Sequence, residues 1–264
     1  MTPSRAVCFA LPRGAPPLDH LFPSLEHDSA LDRAATEYDR NGVIRVRGLL
    51  SPADIATVKA ALDRYAREIA PSLPPADVVF EADGKAVRNL WRMEHHDPFF
   101  AELASRPEIR RVVGRLVHGE PVLMGVETFN KPAKVGSGVP AHQDNAYFCQ
   151  SPPDVLTIWI SIDAATDANG PIFYIRGSHG GMLAHQPSGV AGNSMGLAVR
   201  FDKSDPFVGT LEPGDALVHH SQTIHYSAPN KTDHPRCGLL MVFRGSHTQP
   251  DPQLRDEYTR ARPA

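Results

Sequence analysis

The sequence predicts a mainly β protein with flanking helices, in which a double-stranded β-helix, a jelly roll of the cupin type, is buttressed by helices from the N-terminal half. Two observations support this fold class. Residues 28–119 carry apolar side chains at helical spacing, behind polar residues followed by proline. From residue 120 onward, short apolar runs alternate with turns rich in Gly, Pro, Asn and Asp, as in other jelly rolls.

The chain of 264 residues is long enough to form one large core. We predict a Pro-rich N-terminal arm over 1–27, a single domain over 28–250 and a C-terminal tail over 251–264. Within the domain, the helical front is expected over 28–119 and the jelly-roll core over 120–250.

Composition excludes several classes of partner. The net charge is −3 and no basic block is present, so neither nucleic acid nor a membrane surface is expected as a partner. No apolar run approaches the roughly 18 residues of a membrane span. The three cysteines are scattered, and the N-terminus lacks the apolar core of a secretory signal, which together favour a reducing cytoplasm. A small-molecule substrate is therefore expected, while the oligomeric state is not legible from the sequence.

Capping residues and periodicity predict the individual elements. One helix is expected to be capped by Asp28 or Ser29 and to run to about Asn41, with Gly42 as its C-terminal stop. Further helices are expected to begin after Ser51, after Asp97 and after Ser105. Strands are expected over 43–47, 121–130, 156–163, 171–175, 209–211, 215–220 and 238–244. A Gly-rich loop is predicted over 131–140, and a long loop over 180–196 is interpreted as a lid.

The most informative local pattern is His142-Gln143-Asp144. On an extended segment, residues two apart point to the same face, so His142 and Asp144 can bind one ion while Gln143 turns away. Two imidazoles and one carboxylate form the facial ligand set of non-haem Fe(II) oxygenases, which leaves adjacent positions of the metal open. The triplet alone is a weak signal, and it requires a second histidine.

Candidates for that second histidine lie in one downstream segment, and they are His219, His220 and His225. Turn-forming residues follow Ser227. A hairpin centred near Asn230 would place His225 opposite Arg236, with Ser227 on the same face. This predicted pairing selects His225 as the ligand and leaves the other two as hydrogen-bonded barrel histidines.

Arg236 opens an apolar strand, where a buried cation needs a partner. Its planar guanidinium can hold a carboxylate in bidentate fashion, and Ser227 can add a hydrogen bond. On Fe(II), two of the three vacant positions can chelate the 2-oxo acid end of 2-oxoglutarate, and the third admits O2. The predicted cofactors are therefore Fe(II), 2-oxoglutarate as cosubstrate, and O2.

An ordered set of short motifs resembles the phytanoyl-CoA dioxygenase (PhyH-like) family of Fe(II)/2-oxoglutarate-dependent oxygenases, and the resemblance extends over roughly residues 43–244. The set consists of His142-Gln-Asp144, Asn169-Gly-Pro, Gly177-Ser-His179, Gly214-Asp215, His225-X-Ser227, Pro229-Asn230 and Arg236. The resemblance implies that the iron ligands are His142, Asp144 and His225. It implies that the cosubstrate is bound by Arg236 and Ser227, with Gln143, Met124 and Trp159 at or near its pocket.

The family resemblance also implies a reaction: hydroxylation of an unactivated C–H bond of a small metabolite, with 2-oxoglutarate converted to succinate and CO2. Asp144 favours hydroxylation, because halide-transferring relatives carry a small residue at that position. A desaturase or cyclase would use the same ligands. No catalytic residue beyond the metal ligands is predicted, and the expected substrate contacts are Asn145, Tyr147, Phe148 and Arg88.

Two readings from other classes stay open at the level of sequence. One is a cupin-type enzyme with Mn or Zn, an isomerase or hydrolase, for which Arg236 and Ser227 would have no 2-oxo acid to bind. The other is a metal-binding or sensory module that kept the barrel and lost turnover.

Overall fold

Two facing β-sheets and a layer of helices form the protein in the computed structural model, which describes residues 19–187, 193–195 and 204–260. The helices are α1 (Asp28–Asn41), α2 (Pro52–Arg64), α3 (Met93–His96), α4 (Pro98–Ala104), α5 (Pro107–Leu116), α6 (Asn145–Phe148) and α7 (Pro252–Arg260). A π-helical turn over Tyr65–Ile69 extends α2, and short 3-10 helices cover Phe22–Glu26, Ala70–Ser72 and Pro75–Asp77.

The strands follow one another along the whole described chain. They are β1 (Asp19–Leu21), β2 (Val43–Arg47), β3 (Val78–Phe80), β4 (Val87–Leu90), β5 (Pro121–Lys131), β6 (Val139–His142), β7 (Gln150–Ser151), β8 (Val155–Ser161), β9 (Ile172–Tyr174), β10 (Gln186–Pro187), β11 (Asn193–Ser194), β12 (Phe207–Gly209), β13 (Ala216–His220), β14 (His225–Ser227), β15 (Arg236–Gly245) and β16 (Gln249–Pro250).

The larger sheet has eight strands in the order β1-β2-β13-β8-β15-β5-β4-β3, and the smaller sheet has four in the order β12-β9-β14-β6. Two further pairs, β10-β11 and β16-β7, lie outside them. Helices pack on one face of the larger sheet and the smaller sheet lies over the other, as expected for a helix-buttressed jelly roll. The predicted fold class is therefore confirmed.

Both faces of the larger sheet are buried, and each belongs to a different hydrophobic cluster. On β8, Ile158 and Ile160 join the helices in the main core, whereas Trp159 between them belongs to a second cluster with Tyr174 of the smaller sheet. Alternation along the strand directs neighbouring side chains to opposite faces. The second face therefore bounds the space between the sheets, where the functional site lies.

Local signals in the sequence predicted most helix boundaries. Gly42 ends α1 in the left-handed conformation, at φ 73°, as predicted from its position. At the start of α2, the Ser51 side chain accepts a hydrogen bond from the Asp54 amide, and the Asp54 carboxylate accepts one from the Ser51 amide. The predicted cap of α1 was wrong, because Asp28 already lies inside the helix and His27 precedes it.

The termini differ in part from the expected arm and tail. Residues 1–18 of the predicted arm and 261–264 of the predicted tail lie outside the described residues. Asp19–Leu21 pairs in parallel with β2 and Leu25 is buried, so this end of the predicted arm packs on the domain. None of the helices in the described ranges has the length and hydropathy needed to cross a membrane. The cytoplasmic location stays a prediction.

Phe100 on α4 is fully buried and makes an edge-to-face contact with Tyr65, their ring centroids 5.6 Å apart. We expect Phe100→Ala to lower the free energy of unfolding by about 3–5 kcal/mol, because it leaves a cavity between the helices and the sheet. Urea denaturation monitored by circular dichroism measures this loss. The matched control is Phe80→Ala at a side chain that is 49% exposed, expected to change stability by no more than about 0.5 kcal/mol. Equal losses in the two variants would contradict this view of the core.

Candidate active site

Two neighbouring strands of the smaller sheet bring the predicted histidine ligands together. In the antiparallel pairing of β6 with β14, His142 is the direct cross-strand partner of His225. Directly opposite residues of an antiparallel pair have Cβ atoms about 5 Å apart, so both imidazoles reach the same point. Asp144 follows β6 by two residues, where the chain turns into α6.

The three side chains form a compact set of potential metal ligands. The Oδ1 atom of Asp144 lies 3.4 Å from Nε2 of His142 and 3.5 Å from Nε2 of His225. One ligand atom from each residue lies within 4.8 Å of the others. Adjacent ligands of an octahedral metal with bonds of about 2.1 Å are about 3 Å apart, so a small contraction around an ion would complete the site. No other such group occurs among the described residues.

Backbone carbonyl groups fix the protonation of both imidazoles. Nδ1 of His142 lies 2.9 Å from the Pro140 carbonyl oxygen, and Nδ1 of His225 lies 2.9 Å from the Thr223 carbonyl oxygen. Since a carbonyl oxygen only accepts, each Nδ1 carries the proton and donates it. Each Nε2 therefore presents a lone pair toward Asp144, the arrangement that orients histidine ligands in metal sites.

Asp144 is oriented from the side opposite to the two histidines. Its Oδ2 accepts hydrogen bonds from the Thr157 hydroxyl at 3.2 Å and from Nε2 of His219 at 3.0 Å. Nδ1 of His219 is in turn 3.1 Å from the Tyr174 hydroxyl. Burial alone would raise the pKa of Asp144, but the surrounding histidine side chains, first among them His225, hold it well below its usual range. The carboxylate is thus kept ionised, with Oδ1 directed toward the rings of His142 and His225.

The predicted hairpin between the second histidine and Arg236 was wrong. Strands β14 and β15 lie in different sheets, and the cross-strand partner of Arg236 is Lys131 on β5. The turn predicted around Asn230 is real, but it carries the chain from the smaller to the larger sheet. Arg236 and His225 therefore meet across the space between the sheets, both lining one cavity.

Arg236 is a buried cation without a protein anion. It is 1% exposed, and its guanidinium carbon lies 4.9 Å from the ring centroid of Trp159. Its Nε and Nη1 atoms are buried without any hydrogen-bond partner, and no carboxylate in the described ranges pairs with it. Burial lowers its pKa to about 10, so the group stays charged at neutral pH. An unpaired buried guanidinium fits a carboxylate ligand from outside the chain.

Trp159 owes its position to a glycine on the neighbouring strand. Gly238 on β15 pairs with Phe129 on β5. Its Cα lies beside the Trp159 ring, and a Cβ atom there would come within 2.2 Å of the indole. No side chain fits there unless the ring moves. The indole can therefore lie flat against Arg236 as a fixed wall of the cavity.

A cavity of about 330 Å³ opens between the sheets at the histidine pair. Most of the predicted site residues line it, and these are His142, Asp144, His225, Arg236, Ser227, Trp159, Tyr147, Phe148 and Arg88. The guanidinium of Arg88 is buried, 3.8 Å from a carboxylate oxygen of Glu81 and 5.3 Å from the ring centroid of Phe129.

Three predicted residues do not reach the cavity. The Gln143 amide donates to the carbonyl oxygens of Gly181 and Gln222, and its oxygen accepts from the Leu183 amide, so it anchors the loop after β9. Met124 lies at a β-bulge between β5 and β15, outside the cavity lining.

Asn145 is the third of these residues. It is 1% exposed and exchanges two hydrogen bonds with the backbone of Gln150, which closes the turn around α6. The predicted lid is described only in part: 188–192 and 196 lie outside the described residues, while Met195 donates a backbone hydrogen bond to Ala141 beside β6. Its role as a lid stays a prediction.

Sequence reasoning missed Glu127, which lines the cavity from β5. Burial, together with the charges of Asp144 and Glu94, raises its pKa to about 8. The signal was present in the sequence, because Glu127 is the one charged residue between Glu120 and Lys131. Lys131, the first residue of the predicted Gly-rich loop, is fully buried and donates to two backbone carbonyl groups.

Comparisons with known proteins agree with this geometry. Residues 38–238 match the phytanoyl-CoA dioxygenase (PhyH) family. The chain is 30% identical over 240 residues to methylphosphonate hydroxylase of Gimesia maris, covering 88% of this chain and 84% of that protein. It is 26% identical over 247 residues to L-proline trans-4-hydroxylase of Streptomyces griseoviridis, covering 85% of this chain and 90% of that protein.

Solved structures show the same fold. The α-ketoglutarate-dependent epimerase SnoN from nogalamycin biosynthesis matches with a TM-score of 0.70 and 22% identity, over 86% of this chain and 87% of that one. EctD from S. alaskensis with bound Fe matches with a TM-score of 0.69 and 21% identity, over 83% and 79%. SnoN has also been solved with Fe3+ and α-ketoglutarate.

The fold, the histidine–carboxylate set and these relatives define an iron- and 2-oxoglutarate-dependent oxygenase. More specifically, the chain belongs to the phytanoyl-CoA dioxygenase (PhyH) family.

We expect His225→Ala to abolish stoichiometric Fe(II) binding, because it removes one of three protein ligands and leaves the octahedral set incomplete. Anaerobic titration with Fe(II), followed by desalting and metal analysis, measures the stoichiometry. His234→Ala, at an exposed turn histidine, is the matched control and should bind as the unmodified protein does. Retention of one tightly bound Fe(II) per chain by His225→Ala would show that the ligand set is different.

Proposed function

We propose that this protein hydroxylates an unactivated C–H bond of a small molecule, with oxidative decarboxylation of 2-oxoglutarate to succinate and CO2. The observation that carries the proposal is one cavity lined by both a three-ligand metal set and a buried, unpaired Arg236. A metal-dependent isomerase or hydrolase would have no use for such a cation. An enzyme that binds a dicarboxylate beside its metal requires it.

The metal would be held by Nε2 of His142, Nε2 of His225 and Oδ1 of Asp144. Once bound, iron and 2-oxoglutarate together supply the oxidising power with which a C–H bond is cleaved, and the protein supplies orientation. Thr157 and His219 hold the carboxylate so that one oxygen faces the ion. The backbone carbonyl contacts of the two histidines prevent rotation of the imidazole rings.

Arg236 and Ser227 would bind the distal carboxylate of 2-oxoglutarate. The guanidinium has two buried nitrogen atoms without partners, which matches the two oxygen atoms of a carboxylate. Ser227 lines the same cavity and is 8% exposed, so its hydroxyl can donate to that ligand. Trp159 stacks on the guanidinium and keeps water from its face. These residues would hold the cosubstrate in the cavity that the two histidines also line.

Hydroxylation is favoured by Asp144 and by the two relatives described above. With the carboxylate present, no ligand position is freed for a halide, so halide transfer is disfavoured. Both compared relatives are named as hydroxylases. Desaturation or ring closure is the alternative, because the same ligands serve it. The likeness to SnoN shows the fold alone and does not decide between these outcomes.

A small substrate is favoured by the size of the cavity. Its volume of about 330 Å³ is at the low end of ordinary ligand sites and has to hold cosubstrate and substrate together. Tyr147, Phe148 and Arg88 line it and are the proposed substrate contacts. Methylphosphonate and L-proline, the compounds in the relatives' names, are both small.

Succinate release tests this function directly. With Fe(II), 2-oxoglutarate and O2 present, a slow release without substrate and a faster release with substrate are expected. Mass analysis of the product then separates the outcomes, since hydroxylation adds one oxygen atom whereas desaturation or ring closure removes two hydrogen atoms. Complete absence of O2-dependent succinate would favour a binding or sensory module.

We expect Arg236→Gln to weaken 2-oxoglutarate binding by about 30-fold or more, because the distal carboxylate loses a buried charged partner. Anaerobic titration of the Fe(II)-loaded protein, followed by the visible charge-transfer band of the bound 2-oxo acid, measures the dissociation constant. Arg33→Gln removes the same charge from an exposed position on α1 and should leave the constant unchanged. An unchanged constant in Arg236→Gln would remove Arg236 from the cosubstrate site.

A further inference from the structure

Glu127 lies in a row of three side chains on the cavity-facing side of the larger sheet. In the strand register, Trp159 on β8 pairs with Leu240 on β15, and Leu240 pairs with Glu127 on β5. All three residues line the cavity. The neighbours of Glu127 along its strand, Val126 and Thr128, are buried on the opposite face. The carboxyl group therefore faces the space in which cosubstrate and substrate must bind.

The Glu127 carboxyl group differs from other acidic groups near the site because it has no protein partner. Asp144 is bonded to Thr157 and His219, and the Glu94 carboxylate accepts a hydrogen bond from the Val126 amide. Among the described residues, no hydrogen bond or ion pair satisfies Glu127. A carboxyl group in an apolar cavity wall without a partner is unfavourable unless a ligand supplies one.

No cationic side chain among the described residues pairs with Glu127, so its surroundings favour a cation that the ligand supplies. The electrostatic influences on it come from Asp144 and Glu94, both acidic, and both act with burial to raise its pKa. The guanidinium of Arg88 is directed to Glu81 instead, and that of Arg236 stacks on Trp159. A cationic ligand group beside Glu127 would also find the carboxylate of Asp144 lining the same cavity.

Neither the metal nor the cosubstrate explains this carboxyl group. The potential ligand set consists of His142, Asp144 and His225, and Glu127 is not part of it. 2-Oxoglutarate offers no cation to Glu127, and the proposed partners of its distal carboxylate are Arg236 and Ser227. The group is therefore free to contact the third molecule in the cavity, the substrate.

We infer that Glu127 binds a cationic amine of the substrate, so that the substrates of this oxygenase are small primary or secondary amines, with free amino acids as the main class. The inference rests on the proposed function and adds the substrate class to it. The aromatic side chains of Trp91, Tyr147 and Phe148 line the same cavity and would pack against the carbon skeleton. A charge-assisted hydrogen bond from the ammonium to Glu127 would fix which C–H bond faces the metal.

A panel of matched pairs tests the substrate class. Each pair contains a free amino acid and the carboxylic acid in which hydrogen replaces the amino group, for example L-proline and cyclopentanecarboxylic acid. Binding is measured anaerobically as a change in the charge-transfer band of the Fe(II)- and 2-oxoglutarate-loaded protein, without turnover. Turnover is measured as succinate release above the rate without substrate. We expect responses from amine-bearing members only.

Glu127→Gln tests the residue, because glutamine keeps the shape of the side chain but cannot take the negative charge that a bound ammonium would stabilise. We expect the best amine of the panel to lose about 30-fold or more in kcat/KM and in affinity, while 2-oxoglutarate binding is unchanged. Glu127→Asp should retain part of the response because the charge remains. Glu102→Gln on the exposed side of α4 is the matched control and should behave as the unmodified protein.

The outcomes separate the amine site from the proposed function. Three results would overturn the amine site. The first is an equal response to the acids that lack the amino group, and the second is no response to either member of any pair. The third is an unchanged affinity for amines in Glu127→Gln. The last of these results would show that Glu127 acts as a neutral hydrogen-bond donor, a role that glutamine can fill. A missing charge-transfer band in the unmodified protein would instead contradict the proposed function itself.

Discussion

The antiparallel pairing of β6 with β14 is the constraint on which the site depends. It sets His142 opposite His225 and leaves their ring centroids 4.1 Å apart. On its other edge, β14 pairs with β9, which places Tyr174 behind His219 and so behind the carboxylate of Asp144. Because side chains alternate along a strand, a register slip of one residue would turn His225 to the other face and remove the metal set. The metal set therefore requires this strand register.

The two sheets contribute different chemistry to one cavity. The metal ligands lie on β6 and β14 of the smaller sheet and in the turn after β6. The larger sheet presents Arg236, Trp159 and Glu127. Arg236 begins β15, whereas Glu127 on the neighbouring β5 pairs with Leu240, which lies further along β15. An anion and a cation can therefore bind at different points of the cavity, each facing its own partner. Such a division allows one part of the site to change in evolution while the iron set stays the same.

Local chemistry made much of the fold predictable. The Ser51–Asp54 capping box, Gly42 after α1 and the apolar run of β8 each specify their element within a few residues. The site was less predictable because it depends on which strands pair. His225 was selected through a hairpin with Arg236 that does not exist, since the intervening turn crosses between sheets. That crossing is long-range information, which capping and periodicity do not contain.

The predictions made for some individual residues were wrong for similar reasons. Met124 lies at a β-bulge, and a bulge shifts which residues face inward without any local warning. Gln143 lies between the two ligands in sequence and Asn145 follows them, but both side-chain amides form hydrogen bonds with loop backbone. In contrast, the burial of Arg236 among apolar neighbours was correctly expected, because a charge within an apolar strand has few alternatives.

The strand order of the larger sheet also governs how the chain reaches its native state. Arg45 on β2 pairs with Leu217 on β13, and Val126 on β5 pairs with Met241 on β15, so the sheet closes over very long stretches of chain. Folding rates fall as contacting residues become more distant in sequence, and this topology makes folding slow. During synthesis on the ribosome, the apolar faces of α1 and α2 emerge well before β13 and β15 exist to cover them. The nascent N-terminal half therefore exposes apolar surface that is covered only late in synthesis, a condition that favours aggregation of folding intermediates.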